Sequence, residues 1–307
     1  MVGATATGKS ALALGYARAH PEVELISADA FAVYRGLDIG TAKPTRDEQA
    51  LVRWHLLDVC DAGEEFTVAR FQRLVTEAIA GIEDRSHRAL VVGGTGLYHR
   101  AVIDELELPG QYPKLRAELE SNARTDVGLD RLYARLCEID PVGASRMERT
   151  NARRIVRALE VAIGSGRPFS SFGPGLAHYG PTRFFTVGLA VERTELDRRI
   201  AERLDRQLKE GFVEEARRLA ESPDGLSRTA LQALGYKELF SYLAGECTLA
   251  EAKERIIRRT KTFARRQEAW FRRDPRIVWV DATRPDVLAV FDRLAAPDRA
   301  SGAPARD

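Results

Sequence analysis

Residues 3–10 read Gly3-Ala4-Thr5-Ala6-Thr7-Gly8-Lys9-Ser10, which matches the pattern G-x-x-x-x-G-K-S/T and is the strongest indication of the fold. In this pattern the glycines let backbone N–H groups turn inward around phosphate oxygens. Lys9 adds a cation, and the Ser10 hydroxyl is of the kind that ligates magnesium. A helical segment, Ser10–Ala19, follows at once and points its positive end at the same phosphates. The stretch therefore predicts a phosphate-binding loop, or P-loop, that binds through residues 3–10.

The segments around this loop alternate between apolar strands and amphipathic helices. The predicted elements are three strands and one helix, namely Val23–Ser27, His55–Val59, Ala89–Val92 and Thr67–Glu83. Strands that alternate with helices form a parallel sheet covered on both faces. The predicted fold class is therefore α/β, a P-loop NTPase-like parallel-sheet core with an inserted helical domain. Only Met1 and Val2 precede the loop, so its leading strand is either short or begins upstream.

The inserted domain is marked by a change of periodicity. The run Leu108-Pro109-Gly110 ends the alternation, and helical periodicity continues from there to about Ile163. A loop rich in Gly, Ser and Pro follows at Gly164–Pro181. The alternation of strands and helices then resumes. Strands are predicted at Phe184–Val191 and Ile277–Val280, and long helices at Thr194–Ala220 and Leu249–Phe271. We therefore predict a core of residues 1–109 and 179–290, a helical insertion at 110–178, and a disordered tail at 296–307.

The composition is that of a globular protein. The chain has 307 residues, of which 44% are hydrophobic and 30% charged, and its formal net charge is only +2. Any nucleic-acid contact must therefore come from local basic patches. No apolar run reaches the length of about 20 residues that a membrane helix needs, so we expect no membrane partner. The three cysteines are far apart and form no metal-ligand pattern, and a reduced, cytoplasmic compartment is expected.

A carboxylate follows the second predicted strand. Asp29 ends the run Leu25-Ile26-Ser27-Ala28-Asp29, and the carboxyl ends of parallel strands line the ligand crevice of an open α/β sheet. Asp29 should therefore lie on the same side as the phosphate loop. The alternative is that it only caps a turn. The next segment, Tyr34–Pro44, has glycines and cations but no regular periodicity, which is unusual for a purely structural loop beside a phosphate site.

Six stretches, taken in order, resemble the tRNA dimethylallyltransferase (IPP transferase) family. They are the phosphate loop, Asp29 with Val33–Pro44, Val92–Tyr98, Arg153–Glu160, Gln232–Glu238 and Arg265–Asp274. The resemblance implies transfer of a dimethylallyl group from dimethylallyl diphosphate to the exocyclic amine of the adenine that follows the anticodon on its 3′ side, with release of diphosphate. It thereby implies two partners, the tRNA anticodon stem-loop and dimethylallyl diphosphate.

The resemblance also implies roles for individual residues. Asp29 takes the place of the general base, Thr5 and Lys9 join it as catalytic residues that hold the donor, and Ser10 is the metal position for Mg²⁺. The positions that match tRNA-contacting segments are Asp29, Ala30, Phe31, Ala32, Thr95, Arg116, Arg153, Arg154, Ile155, Val156 and Arg157. Ala30 and Ala32 depart from the family, which usually has Ser and commonly a longer polar residue there, so recognition of the target nucleotide could be altered.

Transfer of a dimethylallyl group to adenine requires a base for the amine and positive groups for the leaving diphosphate. The exocyclic amine of adenine is a weak nucleophile because its lone pair is delocalised, and a carboxylate that takes its proton contributes typically about 10²–10⁴-fold. The departing diphosphate needs preorganised donors and cations. The loop, Lys9 and Mg²⁺ would supply them. The metal is expected from the chemistry alone, since no cluster of metal-ligand residues is visible in the sequence.

The C-terminal region is locally basic. From Lys253 to Arg276, ten cations outnumber three acids, which gives a local charge of +7. A charge run is often only a solvated helix face, but a one-signed excess favours contact with RNA. The interleaved aromatic residues Phe263, Trp270 and Phe271 are expected to belong to the core.

Three other functions share part of this pattern. A small-molecule P-loop kinase would use the same loop with a magnesium-binding Asp at a strand end, for which Asp58 is the best candidate. A prenyltransferase acting on a free adenine nucleotide would not need a helical insertion long enough to embrace RNA. A non-catalytic RNA-binding module would leave Asp29 unexplained. Nothing in the sequence indicates an obligate interface, so a monomer is expected.

Overall fold

The computed structural model describes residues 1–223 and 225–296. The chain divides into two compact units, one formed by Met1–Asp104 together with the chain from Pro181 onward, and the other by Glu105–Gly180. All strands of the described residues lie in the first unit, and the second is helical. The unit boundaries lie near the residues at which the sequence pattern changes. The tail predicted at 296–307 falls, except for Ala296, outside the described residues.

The sheet of the first unit is entirely parallel. Its strands, within the described residues, are β1 Val2–Gly3, β2 Val23–Ser27, β3 Trp54–His55, β4 Arg88–Val92, β5 Thr186–Ala190 and β6 Ile277–Asp281. They pair as β3-β2-β4 and β1-β5-β6. A parallel bridge between Val2 and Gly93 joins the two groups into the order β3-β2-β4-β1-β5-β6. The predicted α/β class is confirmed, and the carboxyl ends of β2, β4 and β1 are neighbours.

Helices cover this sheet and form the second unit. In chain order they are α1 Lys9–Ala19, α2 Arg46–Leu51, α3 Val68–Glu83, α4 Gly96–Ile103, α5 Pro113–Asn122, α6 Asp126–Ile139, α7 Pro141–Ser145, α8 Ala152–Ser165, α9 Arg193–Lys209, α10 Phe212–Ala220, α11 Tyr236–Leu243, α12 Leu249–Phe271 and α13 Val287–Ala295. In the part of the chain that the structure describes, none of them has the length and apolar character needed to cross a bilayer.

Both faces of the sheet are buried, which explains the continuous apolar runs of its strands. In β2, Leu25 packs with α1 and α13 on one face, and Ile26 packs with α3, α4 and α10–α12 on the other. All five residues of β2 are buried. The second unit has its own core, in which Leu119, Leu136 and Leu159 of three different helices meet.

Two predicted elements differ from the structure, and in both cases the backbone supplies the reason. The strand predicted at His55–Val59 is wrong, because Leu56 and Asp58 adopt positive φ angles of 62° and 56° and turn the chain away after β3. The single helix predicted at Thr194–Ala220 is two helices, since Gly211 adopts φ 101° between α9 and α10. The predicted bounds of β2 and α12 are confirmed.

His99 is an ionisable group within the core of the first unit. Its side chain lies on α4 with 7% of its surface exposed, edge-on to the ring of Phe271. Its Nε2 atom makes no hydrogen bond within the described residues. Burial lowers the pKa of His99 to about 3, because the charged ring would lose its hydration.

We predict that replacing His99 by Phe weakens the acid dependence of stability. Below the ordinary pKa of about 6.5, the unfolded chain protonates this histidine and the folded chain does not, so the free energy of unfolding falls as the pH is lowered. Between pH 6.5 and 5 the contribution amounts to about 1.5 kcal/mol. Urea titrations at both pH values would measure it as the difference between wild type and His99→Phe. The buried amino group of Met1, whose pKa is lowered to about 5, contributes to both proteins and largely cancels. Equal slopes in the two proteins would contradict the prediction.

Candidate active site

The phosphate loop connects β1 to α1, and its glycines stand where other residues would be strained. Gly8 has φ 90° and caps the N-terminus of α1. Gly3 lies so close to β5 that a Cβ atom would stand 2.7 Å from the carbonyl oxygen of Leu189. Among the described residues no side chain caps α1. Its first N–H groups are therefore available to an anion.

The loop closes on the carbonyl oxygen of Ala4. Thr7 donates its hydroxyl to this oxygen at 2.9 Å, and Lys9 donates its ammonium at 2.6 Å. Burial lowers the pKa of Lys9 to about 8, although the charge of Asp29 acts in the opposite direction. The Thr5 hydroxyl is half-buried and makes no hydrogen bond within the described residues. The loop thus offers a partly desolvated cation and a free hydroxyl.

Ser10 has the properties that a magnesium ligand needs at such a loop. It is exposed in the first turn of α1, and its hydroxyl makes no hydrogen bond in the described part of the chain. Among residues 1–223 and 225–296 no group of three or more His, Cys, Asp or Glu side chains is placed to hold a metal. Mg²⁺ usually takes one or two protein ligands and completes its shell with water and substrate phosphates. One free hydroxyl beside the phosphate loop fits that mode of binding.

Asp29 both caps a turn and keeps one oxygen unengaged. Its Oδ1 atom accepts the N–H groups of Phe31 at 2.8 Å and Ala32 at 3.2 Å. Its Oδ2 atom accepts no hydrogen bond from the described residues. The turn therefore fixes the direction of the carboxylate without using its second oxygen, so the capping alternative and the functional prediction are compatible.

The residues next to Asp29 contact the turn after β4. The N–H group of Ala30 donates to the hydroxyl of Thr95 at 3.1 Å, which joins two positions predicted to contact tRNA. Phe31 is half-buried. Ala32 has only 4% of its surface exposed and packs in the core, so its side chain is not available to a ligand here.

Gly93, Gly94 and Gly96, in the turn after β4, lie where other segments pack closely against the backbone. A Cβ atom at Gly93 would overlap the carbonyl group of Ala28, and one at Gly96 would overlap the indole ring of Trp270. One at Gly94 would overlap the side chain of Gln267. These glycines therefore allow β2 and α12 to approach the turn closely.

Arg203 is one residue near the candidate site that the sequence patterns did not reveal. It lies on α9, within the buried stripe of Leu196, Ile200 and Leu204, and has no carboxylate within ion-pair distance among the described residues. Burial lowers its pKa, and the charge of Asp29 opposes that change. A cation on the apolar stripe of a helix was the available signal. The charge of Asp29 thus acts to raise the pKa of both Arg203 and Lys9.

The loop at 34–44 is held by Glu215, which the sequence patterns also missed. This buried carboxylate of α10 accepts the N–H groups of Asp38, Ile39 and Gly40 at 3.0, 2.8 and 3.0 Å. It also accepts the hydroxyl of Tyr236 at 2.7 Å. The loop lacks periodicity because one side chain replaces the regular backbone partners of its N–H groups.

In the helical unit, the predicted tRNA-contacting segment has two kinds of residue. Ile155 and Val156 are almost fully buried in the core of this unit, so their side chains are not exposed to a ligand, and the contact of these two residues with tRNA stays a prediction. Arg157 donates to the carbonyl oxygens of Gly110 and Pro109 at 3.0 and 2.9 Å.

A buried carboxylate, Glu160, also engages two of the predicted arginines. It lies 3.0 Å from the guanidinium of Arg157 and 3.9 Å from that of Arg116. Arg153 and Arg154 are exposed and pair with no acid among the described residues. These two arginines are therefore the ones available to a ligand.

The basic C-terminal run is partly neutralised within the protein. Ion pairs join Lys253 to Asp205, Lys261 to Asp197 and Arg259 to Glu238, and others engage Arg272 and Arg276. The arginines of this run that pair with no carboxylate among the described residues are Arg255, Arg258, Arg265, Arg266 and Arg273. Phe271 is buried, as expected, and Trp270 packs on Gly96.

The chain is similar to known proteins over most of its length. Residues 32–274 match the family model described as IPP transferase. A tRNA dimethylallyltransferase from Salinispora tropica is 45% identical over 297 residues, which cover 97% of this chain and 92% of that protein.

Two solved structures are also similar. The full-length tRNA isopentenylpyrophosphate transferase from Bacillus halodurans matches with a TM-score of 0.68 and 35% identity, covering 95% of this chain and 94% of that one. A eukaryotic dimethylallyltransferase acting on tRNA matches with a TM-score of 0.78 and 26% identity, over 96% of this chain and 76% of that one. The match extends over both sheet core and helical unit, and the chain belongs to the IPP transferase family.

Proposed function

We propose that this protein transfers a dimethylallyl group from dimethylallyl diphosphate to the exocyclic amine of the adenine that follows the anticodon of a tRNA on its 3′ side. The proposal rests chiefly on Asp29, a carboxylate with one unengaged oxygen at the same sheet edge as a phosphate loop. The names and activities of the similar proteins support it.

In the reaction, Oδ2 of Asp29 takes a proton from the adenine amine while the nitrogen attacks the allylic carbon of the donor. A carbon–nitrogen bond forms, the bond between that carbon and the diphosphate oxygen breaks, and the electron pair leaves with diphosphate. The hydrogen bonds from Phe31 and Ala32 to Oδ1 hold the carboxylate in one orientation for this step. Such a positioned base is effective because it acts without reorganisation.

The phosphate loop acts as a clamp for the leaving group. Its backbone N–H groups and the N-terminus of α1 bind oxygens of the diphosphate. Lys9 and Arg203 add positive charge, which stabilises the negative charge that develops on the diphosphate as it leaves. Ser10 would hold Mg²⁺, which when bound neutralises part of the diphosphate charge.

Contact with tRNA is assigned to exposed cations of both units. In the helical unit these are Arg153 and Arg154, and in the first unit they are the unpaired arginines of the basic run. Guanidinium groups that pair with no carboxylate of their own protein are free to bind backbone phosphates. An unpaired loop base also costs less to extrude than one in a duplex.

Replacing Asp29 by Asn should abolish most of the transfer. Asn retains an oxygen that accepts the two turn N–H groups but cannot take a proton, so the rate should fall by about 10²–10⁴-fold. Labelled dimethylallyl diphosphate, Mg²⁺ and an unmodified tRNA with the target adenine would measure it. Asp281→Asn is a matched control, since Asp281 ends β6 and accepts the N–H of Thr283 at 2.8 Å. The Asp281 variant should transfer label at the wild-type rate. Phosphorylation of a small acceptor by ATP, without label in RNA, would instead support the kinase alternative.

Replacing Arg203 by Gln should weaken use of the donor specifically. Loss of a charge-assisted hydrogen bond of about 1.5–3 kcal/mol corresponds to a decrease of about 10- to 150-fold in kcat/KM for dimethylallyl diphosphate. The KM for tRNA should change little. Arg206→Gln, an exposed arginine on the same helix, is the control. Equal effects of the two substitutions would count against a donor contact at Arg203.

The pH dependence of donor capture should report the ionisation of Lys9. Its ammonium is present below its pKa of about 8 and is lost as the pH rises through that value. Because kcat/KM reflects the free enzyme, kcat/KM for the donor should decline above about pH 8. Lys9→Met should be slower at every pH and should lack this decline. A decline that persists in Lys9→Met would assign the ionisation to another group.

A further inference from the structure

Gln267 connects the phosphate loop to the turn after β4. It lies on α12 with 8% of its surface exposed. Its Oε1 atom accepts the N–H of Thr5 at 2.8 Å, and its Nε2 atom donates to the carbonyl oxygen of Gly94 at 2.7 Å. One buried amide thus bridges two backbone segments that lie far apart in the sequence.

The side chain of Gln267 can approach the turn closely because the turn has a glycine at the point of contact. Gly94 has no Cβ atom, and one placed there would overlap Nε2 of Gln267. One helical turn further along α12, Trp270 packs against Gly96 in the same way. Gln267 and Trp270, one helical turn apart on α12, therefore pack against the two ends of this turn.

The turn after β4 is in turn connected to Asp29. Thr95 follows Gly94 and accepts the N–H of Ala30 through its hydroxyl. Ala30 is the neighbour of Asp29, whose Oδ1 is fixed by the next turn. A chain of hydrogen bonds and peptide bonds thus leads from Thr5 in the phosphate loop to Asp29.

We propose that Gln267 is a positioning residue that fixes the spacing between the diphosphate clamp and Asp29. This inference rests on the function proposed above, in which the clamp holds one substrate and Asp29 activates the other. An error of about 1 Å in such spacing can cost about 10²-fold in rate. Gln267 touches neither reacting group and acts through Thr5 and Gly94.

A neutral amide suits this role for a chemical reason. The bridge needs an acceptor toward Thr5 and a donor toward Gly94 on one planar group. A carboxylate would accept from Thr5 but would face the carbonyl oxygen of Gly94 with no donor. A protonated carboxyl group, by contrast, has both an acceptor and a donor. The variant Gln267→Glu should therefore regain the bridge on protonation, and burial favours the protonated form.

The test compares single-turnover transfer to tRNA, with both substrates saturating, at pH 8 and pH 6. Gln267→Met should lower the rate by about 10- to 100-fold at both values, while the KM for each substrate changes little. Gln267→Glu should be similarly slow at pH 8, and its rate relative to wild type should recover at least about fivefold at pH 6. The ratio to wild type removes any pH dependence that the two proteins share.

Gln72→Glu is the matched control, since Gln72 also donates its amide to a backbone carbonyl, that of Ala101 on α4, at 2.9 Å. It should transfer near the wild-type rate with no pH-dependent recovery. A wild-type rate in Gln267→Met, or a slow Gln267→Glu with no recovery at pH 6, would overturn the inference. If Gln267→Met does not fold, as judged by its melting curve, the pH response of Gln267→Glu decides alone. Absence of transfer by the wild type would instead refute the proposed function.

Discussion

The close approach between the phosphate loop and the turn after β4 is the constraint on which the site depends. Strand β1 meets this turn through the bridge between Val2 and Gly93, and the N–H of Gly93 donates to the carbonyl oxygen of Met1 at 3.2 Å. On its other side the turn contacts the chain just after β2. Side chains at Gly93 and Gly94 would force these segments apart. The glycines of the turn therefore serve the spacing of the candidate site, whereas the proposed phosphate binding is assigned to the loop at 3–10.

A second feature of the candidate site is that Asp29, the proposed base, and the cations Lys9 and Arg203 form no ion pair among the described residues. The ammonium of Lys9 donates to the carbonyl oxygen of Ala4, and Oδ1 of Asp29 is occupied by the N–H groups of its own turn. The charge of Asp29 raises the pKa of Lys9 and of Arg203, but burial outweighs this effect in both. Within the part of the chain that the structure describes, neither of these partly desolvated cations has a carboxylate partner, which favours an anionic ligand. A salt bridge between Asp29 and Lys9 would be incompatible with the proposed roles of both residues.

Local patterns predicted most of the fold and located part of the candidate site. The phosphate loop, β2 and α12 could be predicted because each carries its signal within a few consecutive residues, and Asp29 because it follows a strand directly. Glu215 and Gln267 could not, since their roles arise from contacts between distant segments, and the only sequence signal for Arg203 was a cation on the apolar stripe of a helix. Thr5 and Gln267, for example, are 262 positions apart. A family motif also does not separate packing from binding, and thus Ile155 and Val156 were predicted with the exposed arginines beside them although they form the core.

The same loop serves phosphoryl transfer in many proteins, so the position of the acidic groups decides how it is used. Asp58, the best sequence candidate for a kinase-type magnesium ligand, follows β3 in a left-handed backbone conformation. Its carboxylate accepts the ammonium of Lys43 at 2.6 Å, and Lys43 also donates to the carbonyl oxygen of Tyr34 at 2.8 Å. Asp58 is therefore engaged in holding the 34–44 loop. Oδ2 of Asp29, at the sheet edge, accepts no hydrogen bond from residues 1–223 and 225–296, which supports the proposed role of Asp29 in taking a proton from an acceptor. This arrangement supports the proposed function, in which the loop would hold the diphosphate, Asp29 would act as the base, and diphosphate would be the group that leaves rather than the group that is transferred.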